Sequence, residues 1–211
     1  MDIFVNYGPE IIARVGEHIV LVVVAIGIAI LIGLPLGIAI TRNNTLAKPI
    51  LTFANIVQTI PSLAMFGFLI SAPLLGGIGK VPAIVALTLY ALLPIIRNTY
   101  TGITGVNPAI REAGRGMGMT DRQLLVQVEI PLALGVILAG VRVATVIGVG
   151  IATIAAAIGA GGLGVFIFRG ISMVNNQLIL AGAVPAALMA LIADFAIGQV
   201  ENRFMAKGKT Q

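Results

Sequence analysis

Five apolar runs separated by short polar or glycine-rich stretches set the pattern of this chain: residues 18–41, 50–71, 81–97, 131–158 and 177–200. Runs of about 20 residues, at about 1.5 Å rise per residue, cross a hydrocarbon layer of roughly 30 Å. The pattern therefore predicts an all-α integral membrane protein with five transmembrane helices. The first run is polar only at its ends, His18 and Thr41, and Pro35 is expected to kink it. The second carries Asn55, Gln58, Thr59, Pro61 and Ser62 close together. Polar side chains beside a proline at membrane depth avoid lipid and face a protein contact or a wet cavity. The third holds Tyr90 and Pro94 and ends in Arg97-Asn98-Thr99-Tyr100, where Tyr100 suits the headgroup belt. Tight turns are expected at Arg42–Pro49 and Gly76–Pro82, and the dense Ala and Gly of 148–162 permit close helix contact.

Ahead of the first run, Ile11, Ile12 and Val15 lie opposite Glu10, Arg14 and Glu17 in a short amphipathic piece. It is expected at the membrane interface, with a poorly ordered terminus as the alternative. The start lacks the basic residues of a cleaved signal peptide, so it is expected to be retained.

Residues 107–130 interrupt the apolar pattern with its longest polar stretch. Asn107 can cap a helix that Pro108 opens, and Gly116 and Gly118 are natural stops. Thr120 with Gln123 fits a reciprocal capping box for a second helix, and Pro131 marks the next apolar run. The expectation is helix, glycine bend, helix, lying in water between spans 3 and 4. Such an element is either an ordinary loop or a site of interaction.

Composition narrows the class. Of 211 residues 58% are hydrophobic and 10% charged, far below the roughly one quarter of soluble chains, and the mean hydropathy is +1.07. The absence of Cys removes disulfide and thiolate chemistry, and a single His argues against a zinc site. The 13 basic and 8 acidic residues are scattered between apolar runs, which topology explains better than a nucleic-acid face. With the C-terminus inside, the cytosolic loops hold Arg42, Lys48, Arg97, Arg111, Arg115, Arg122, Arg203, Lys207 and Lys209, against Arg14, Lys80 and Arg169 outside. The positive-inside rule thus predicts an external N-terminus, a cytosolic C-terminus and a cytosolic 107–130 element.

Three further features carry chemistry or its imitation. Gly159-Ala160-Gly161-Gly162-Leu163-Gly164 spells a dinucleotide-binding pattern, but a membrane helix precedes it where a strand is needed. A tight turn into a re-entrant or interfacial segment at Val165–Phe168 is the better account. His18 is expected to be a hydrogen-bonded anchor, with a proton relay as the alternative. Arg142 and Asp194 are isolated charges within spans; 11 residues past Pro131 and 9 before Arg203, they lie at a similar depth of roughly 13–17 Å. They are expected to form a structural or gating ion pair, the alternative being a substrate counter-ion.

Glu112-Ala113-Gly114, three residues, Gly118, nine residues, then Val128-Glu129-Ile130-Pro131 resembles the signature of permease subunits of ATP-binding-cassette importers. That signature reads Glu-Ala-Ala, three residues, Gly, nine residues, Ile, any residue, Leu, Pro. Gln58–Ala64, Tyr90–Tyr100, Gly116–Thr120 and Ile158–Gly164 further resemble permeases of osmoprotectant importers, the glycine betaine, carnitine and choline group, over about residues 15–200. The resemblance implies one permease domain over 1–211, of the methionine-importer type, in a bacterial inner membrane. It implies a second permease copy or paralogue, two cytosolic ATPase subunits and a separate external substrate-binding protein. This chain would then be no enzyme and bind no cofactor or metal, ATP and Mg belonging to the partner.

Glu112, Ala113, Gly114, Arg115, Gly118, Met119 and Pro131 would make up the ATPase-coupling element, in which glycines allow close approach and charges fix orientation. Gln58, Thr59, Ser62, Tyr90 and Asn98 would line the substrate pathway. The same coupling signature serves other small solutes such as amino acids. A secondary transporter built on helices broken at Gly and Pro is the reading from another class, and it predicts uptake without ATP.

Overall fold

The computed structural model describes residues 2–72 and 77–208, with residues 2–6, 44 and 205–208 described by their backbone alone. Gly76 of the second expected turn and Lys209 of the cytosolic charges fall outside the described residues, as does the side chain of Lys207. The described residues are helical without strands. They form α1 (Asp2–Arg42), α2 (Asn44–Thr59), α3 (Ser62–Ser71), α4 (Lys80–Thr104), α5 (Pro108–Gly116) and α6 (Asp121–Leu124). A π-helical turn (Leu125–Glu129), α7 (Ile130–Ile154), a 3-10 turn (Ala155–Ile158), α8 (Gly164–Ser172) and α9 (Asn176–Gly208) complete the chain. Four helical stretches are long and apolar enough to cross a membrane, Tyr7–Arg42, Lys80–Thr104, Asp121–Ile158 and Asn176–Phe204, and α2 with α3 makes a fifth if the bent pair is one span.

Side-chain contacts decide that question. Thr88 donates to the carbonyl of Ala25 at 3.3 Å, while Ile95 packs on Gly33 and Thr99 on Gly37. Increasing numbers in α1 thus meet increasing numbers in α4, and the two helices run parallel. The chain between them must therefore return across the bundle, so α2 and α3 together are a broken span. Against α4, α7 runs antiparallel, with Gly140 on Asn98 and Gly102 on Ala133 and Val136. Gly182 of α9 lies against Leu163 and Phe166, and Gly198 lies further along against Arg142, so α9 runs parallel to α1. The start of α1 and the end of α9 consequently sit at opposite ends of the bundle.

Helix α4 is the central member: 61% of its apolar window is buried, against 22% for α9, which leaves most of α9 facing outward. The main core joins Leu21, Ala25, Phe66, Leu87, Ile95, Ala144 and Ala152. Glycines at the crossings bring backbones together, the usual way helices associate where no hydrophobic force separates protein from lipid.

Several boundaries differ from the sequence expectation for physical reasons. The amphipathic piece at the N-terminus is continuous with span 1 in one 41-residue helix, about 60 Å long. Ile11 is buried on Phe166, Leu178 and Ala181, with Tyr7 and Val15 beside it, while Ile12 turns outward. Arg169 donates to both Glu10 carboxylate oxygens, from Nη2 at 3.1 Å and Nη1 at 3.3 Å. The basic turn after span 1 shrinks to Asn43, whose side chain accepts from the Thr45 N–H at 3.1 Å and starts α2 at once.

Span 2 is not one helix. It bends by 100° between Thr59 and Ser62, because Pro61 has no N–H to continue the ladder and drives Ile60 to an extended conformation (φ −69°, ψ 126°). Span 3 continues past 97 to Thr104, since Arg97 donates to Asn55 at 2.7 Å and Asn98 to the Pro94 carbonyl at 2.8 Å instead of ending the helix. Span 4 begins at Asp121, not at Pro131: a π-type bond from the Ile130 N–H to the Leu125 carbonyl carries the helix past the proline, at the first turn of α7.

Tyr90 closes the break in span 2. It is buried, and its hydroxyl donates to the carbonyl of Ile60. Tyr90→Phe is expected to leave that carbonyl without its partner at a cost of about 1–3 kcal/mol. A lower thermal midpoint of the purified protein in lipid or detergent would register it; an unchanged midpoint would mean that water replaces the hydroxyl.

Candidate functional site

The polar element between spans 3 and 4 is built by local capping. Asn107 accepts from the Ala109 N–H at 2.9 Å and Pro108 opens α5, so the first turn has a cap and needs no donor from the proline. The far end closes with two reversed bonds, Met119 N–H to Gly114 O at 3.1 Å and Gly118 N–H to Arg115 O at 2.9 Å. This paired arrangement requires a left-handed residue after the helix, and Gly118 supplies it at φ +84°. Gly114 is buried because a side chain there would meet Leu124 and Met119. Thr120 and Gln123 form the reciprocal capping box that starts α6.

Glu112, Ala113, Arg115 and Gly118 are exposed on α5 and its bend, Met119 is half-buried against Gly114, and Pro131 is exposed on the span itself. Arg115 lies 3.7 Å from Asp121 in an exposed pair. Met117 adds an outward apolar side chain that is 77% exposed. The element thus presents a short helix with a charged and a small-residue surface, seated on the base of span 4.

Beneath it lies a cluster that the sequence reading passed over. Glu129, at the variable position of the Val128–Pro131 motif, is fully buried. Arg42, the last residue of α1, donates to both of its carboxylate oxygens. Arg111 of α5 brings Nε to 3.1 Å from Glu129 Oε1, a charge contact without hydrogen-bond alignment, and its Nη2 donates to the Ile103 carbonyl near the end of α4. One carboxylate therefore joins span 1, the α5 element and span 4, and one arginine extends the link to span 3. A lone Glu just before an apolar run was the available signal; its two partners lie 87 and 18 positions away and could not be read from spacing.

Arg142 and Asp194 come together as a two-pronged pair, with Nε and Nη2 each 2.6 Å from a carboxylate oxygen. Glu201, also missed, takes a third contact from Nη1 at 3.3 Å. The guanidinium lies across Gly198, and the spacing Asp194, Gly198, Glu201 puts all three on one face of α9. The cluster borders a cavity of about 280 Å³ whose walls include Ala139, Val143, Val146 and Ile147.

Of the expected pathway residues, Gln58, Thr59 and Ser62 flank the break at Ile60-Pro61, and the Tyr90 hydroxyl joins them there. Asn98 does not: it lies against Gly140 on α7.

At the other end of the bundle His18 is fully buried. Its Nδ1 accepts from the Leu163 N–H at 3.3 Å, which places the proton on Nε2, the donor to the Val149 carbonyl at 3.1 Å. Glu17 accepts from the Gly162 N–H at 2.8 Å. These bonds fasten the glycine turn, whose Gly159, Gly161 and Gly162 all have positive φ, to α1.

The described residues thus form a bundle of membrane-length helices with one broken span and a capped helix at one end. Residues 20–205 match the family described as "Binding-protein-dependent transport system inner membrane component", and the chain belongs to it. It is 47% identical over 201 residues to the glycine betaine/carnitine/choline transport system permease protein OpuCB of Bacillus subtilis (strain 168), covering 95% of this chain and 91% of that protein. It is likewise 47% identical to the osmoprotectant import permease protein OsmW of Salmonella typhimurium, covering 91% of this chain and 90% of that one. Among solved structures, an inward-facing conformation of the MetNI methionine ABC transporter superposes with a TM-score of 0.82 at 25% identity, covering 92% of this chain and 95% of that chain.

Proposed function

We propose that this chain is the permease subunit of an ATP-driven importer that brings a small osmoprotectant of the glycine betaine, carnitine or choline type into the cytoplasm. The observation that carries the reading is similarity at 43–47% identity, over nearly the whole chain, to permeases named for those solutes. The capped α5 element supports it, since a short exposed helix with small residues is what a groove on a partner can receive.

In this reading residues 1–211 form one permease domain in the bacterial inner membrane, with an external N-terminus and a cytosolic C-terminus. A second copy or a paralogue completes the pathway, an external binding protein delivers the solute, and cytosolic ATPase subunits hold ATP and Mg and perform the hydrolysis. The permease itself makes no covalent bond. Glu112, Ala113, Gly114, Arg115, Gly118 and Met119 meet the ATPase, and Pro131 stands where the coupling helix passes its motion into span 4. Closure of the ATPase pair displaces α5, and the spans exchange inward for outward access. Gln58, Thr59 and Ser62 lie where the solute passes, with Tyr90 behind them, while Asn98 faces α7 at Gly140. A quaternary ammonium favours aromatic faces, and with aromatics at 5% of this chain its tight recognition falls to the binding protein.

Uptake of labelled glycine betaine, carnitine and choline into proteoliposomes holding the complete complex tests the reading, with Gly118→Asp as the control. Every side chain at φ +84° is strained, so the bend that presents α5 shifts while the spans stay intact. The expected outcome is ATP-dependent uptake that falls by roughly tenfold or more in the variant, the loss that about 1.4 kcal/mol of lost coupling would give. Uptake that needs no ATP and ignores the substitution would overturn it.

A further inference from the structure

We infer that Glu129 is the positioning residue through which displacement of α5 reaches the transmembrane helices, a buried electrostatic latch with Arg111 and Arg42 as its two arms. The inference rests on the transport reading above and goes beyond the coupling motif, in which position 129 carries no assigned role.

Three observations converge. First, α5 packs chiefly on α6 and the π-turn, so the routes from α5 into the bundle, apart from the chain itself, are the seat of Gly114 on Leu124 and the reach of Arg111 to Glu129 and to the Ile103 carbonyl. Second, Glu129 is fully buried while its partners are not, the side chains of Arg42 and Arg111 being 37% and 25% exposed. A buried carboxylate is retained only while it is paired. Movement of Arg111 with α5 must therefore either carry Glu129 along or leave the carboxylate to Arg42 alone. Third, Glu129 is the last residue of the π-turn Leu125–Glu129, where the helix already departs from its regular ladder. A π-turn and a regular turn differ by one residue in bonding register, so a change of register at this point would be a discrete step and not a gradual bend.

The latch has opposite consequences for its members. With Arg111 engaged, the end of α1, the end of α4, α5 and the base of α7 move as one body, because Arg111 also holds the Ile103 carbonyl. With Arg111 withdrawn, only the seat of Gly114 on Leu124 and the chain itself still tie α5 to the spans, and its displacement is passed on less completely. Intact, the latch converts α5 displacement into span rotation; without its charge, ATP hydrolysis continues and the rotation no longer follows.

The test uses the complete complex in proteoliposomes and measures solute imported and ATP hydrolysed in the same vesicles. Glu129→Gln keeps the shape and removes the charge. The expected result is an assembled complex that still hydrolyses ATP but imports roughly tenfold less solute per ATP, with Glu129→Asp recovering part of the ratio. In Arg42→Gln the ratio falls less, and the Glu129→Gln/Arg42→Gln double variant is no worse than Glu129→Gln, because both act through one cluster.

A wild-type ratio in Glu129→Gln overturns the latch, as does a loss of uptake that tracks lost hydrolysis in proportion. Should Glu129→Gln fail to assemble, Arg111→Gln, which leaves the Glu129–Arg42 pair intact, carries the same expectation and the same refutation. Wild-type vesicles that import none of the solutes while their ATPase responds to binding protein would reject the substrate reading and leave the latch to be judged on that response in the variants.

Discussion

Gly164→Ala is expected to leave no folded permease in the membrane. Glycine here is a matter of space: a Cβ would overlap the carbonyl oxygen of Thr153 and lie 2.8 Å from the Ala156 side chain. Ordinary overpacking of a core costs about 1–3 kcal/mol, with side chains turning aside to absorb part of it. At Gly164 the opposing atom is backbone near the end of α7, and α8 would have to lift off the bundle. That lift would also strip Leu163 from His18 and Gly162 from Glu17, two bonds that fasten α1 to the same turn. The fraction of a fluorescent fusion that elutes as a single species in detergent measures the effect. Gly116→Ala is the matched control: no atom stands within 4 Å of its Cβ position, and it should elute like wild type. Comparable behaviour of the two variants would refute the packing argument.

The second large effect is expected at Arg142. Substitution by Gln leaves Asp194 and Glu201 on one face of α9 without their shared cation, within the membrane-spanning part of the helix. Uncompensated carboxylates at that depth are costly, and folded yield and uptake should both fall by roughly tenfold or more. Asp194→Asn should cost less, since Arg142 keeps Glu201. The exchange Arg142→Asp with Asp194→Arg restores an opposite-charge pair across the same two helices and places the new arginine two turns from Glu201. It should recover a substantial part of the loss. A double variant no better than Arg142→Gln would show that the pair serves something other than holding α7 to α9.

How much of this was open to a reader of the sequence follows from the range of the forces involved. The five apolar runs are continuous in the chain, the Asn107 cap, the glycine stop at 118 and the Thr120–Gln123 box rest on residues within five positions of one another, and each has its counterpart in the structure, the second run as a pair of helices. Equal depth in two helices sufficed to suggest Arg142 and Asp194 as partners, and the structure brings them together. Helix ends read from hydropathy alone were less accurate. A polar side chain inside a helix looks like an end, yet Arg97 and Asn98 are satisfied by Asn55 and Pro94, and Asp121–Glu129 runs straight into span 4 because a π-turn absorbs Pro131. What could not be read was which distant groups the charged side chains meet. Glu129 meets Arg42, Glu17 meets Gly162 and Arg142 meets Glu201 across separations of 87, 145 and 59 residues, and no local pattern encodes such meetings.

The break at Ile60-Pro61 also bears on which way the bundle faces. Where a helix stops, carbonyl groups at its end lose their donors, and lipid tails supply none. Tyr90 serves one of them, the carbonyl of Ile60. The Ile56 carbonyl takes the Thr59 hydroxyl at 2.7 Å and the Val57 carbonyl the Ile60 N–H at 3.3 Å, which leaves those of Gln58 and Thr59 to water or another polypeptide, so the side of the bundle bearing Thr59 and Pro61 turns away from the acyl chains. The outward surface of α9, with Leu188, Leu191, Ile192 and Phe195 exposed, has no such demand and can rest in hydrocarbon. A single proline thereby gives the permease a wet side and an oily side, an azimuth about the membrane normal that hydropathy along the chain does not contain.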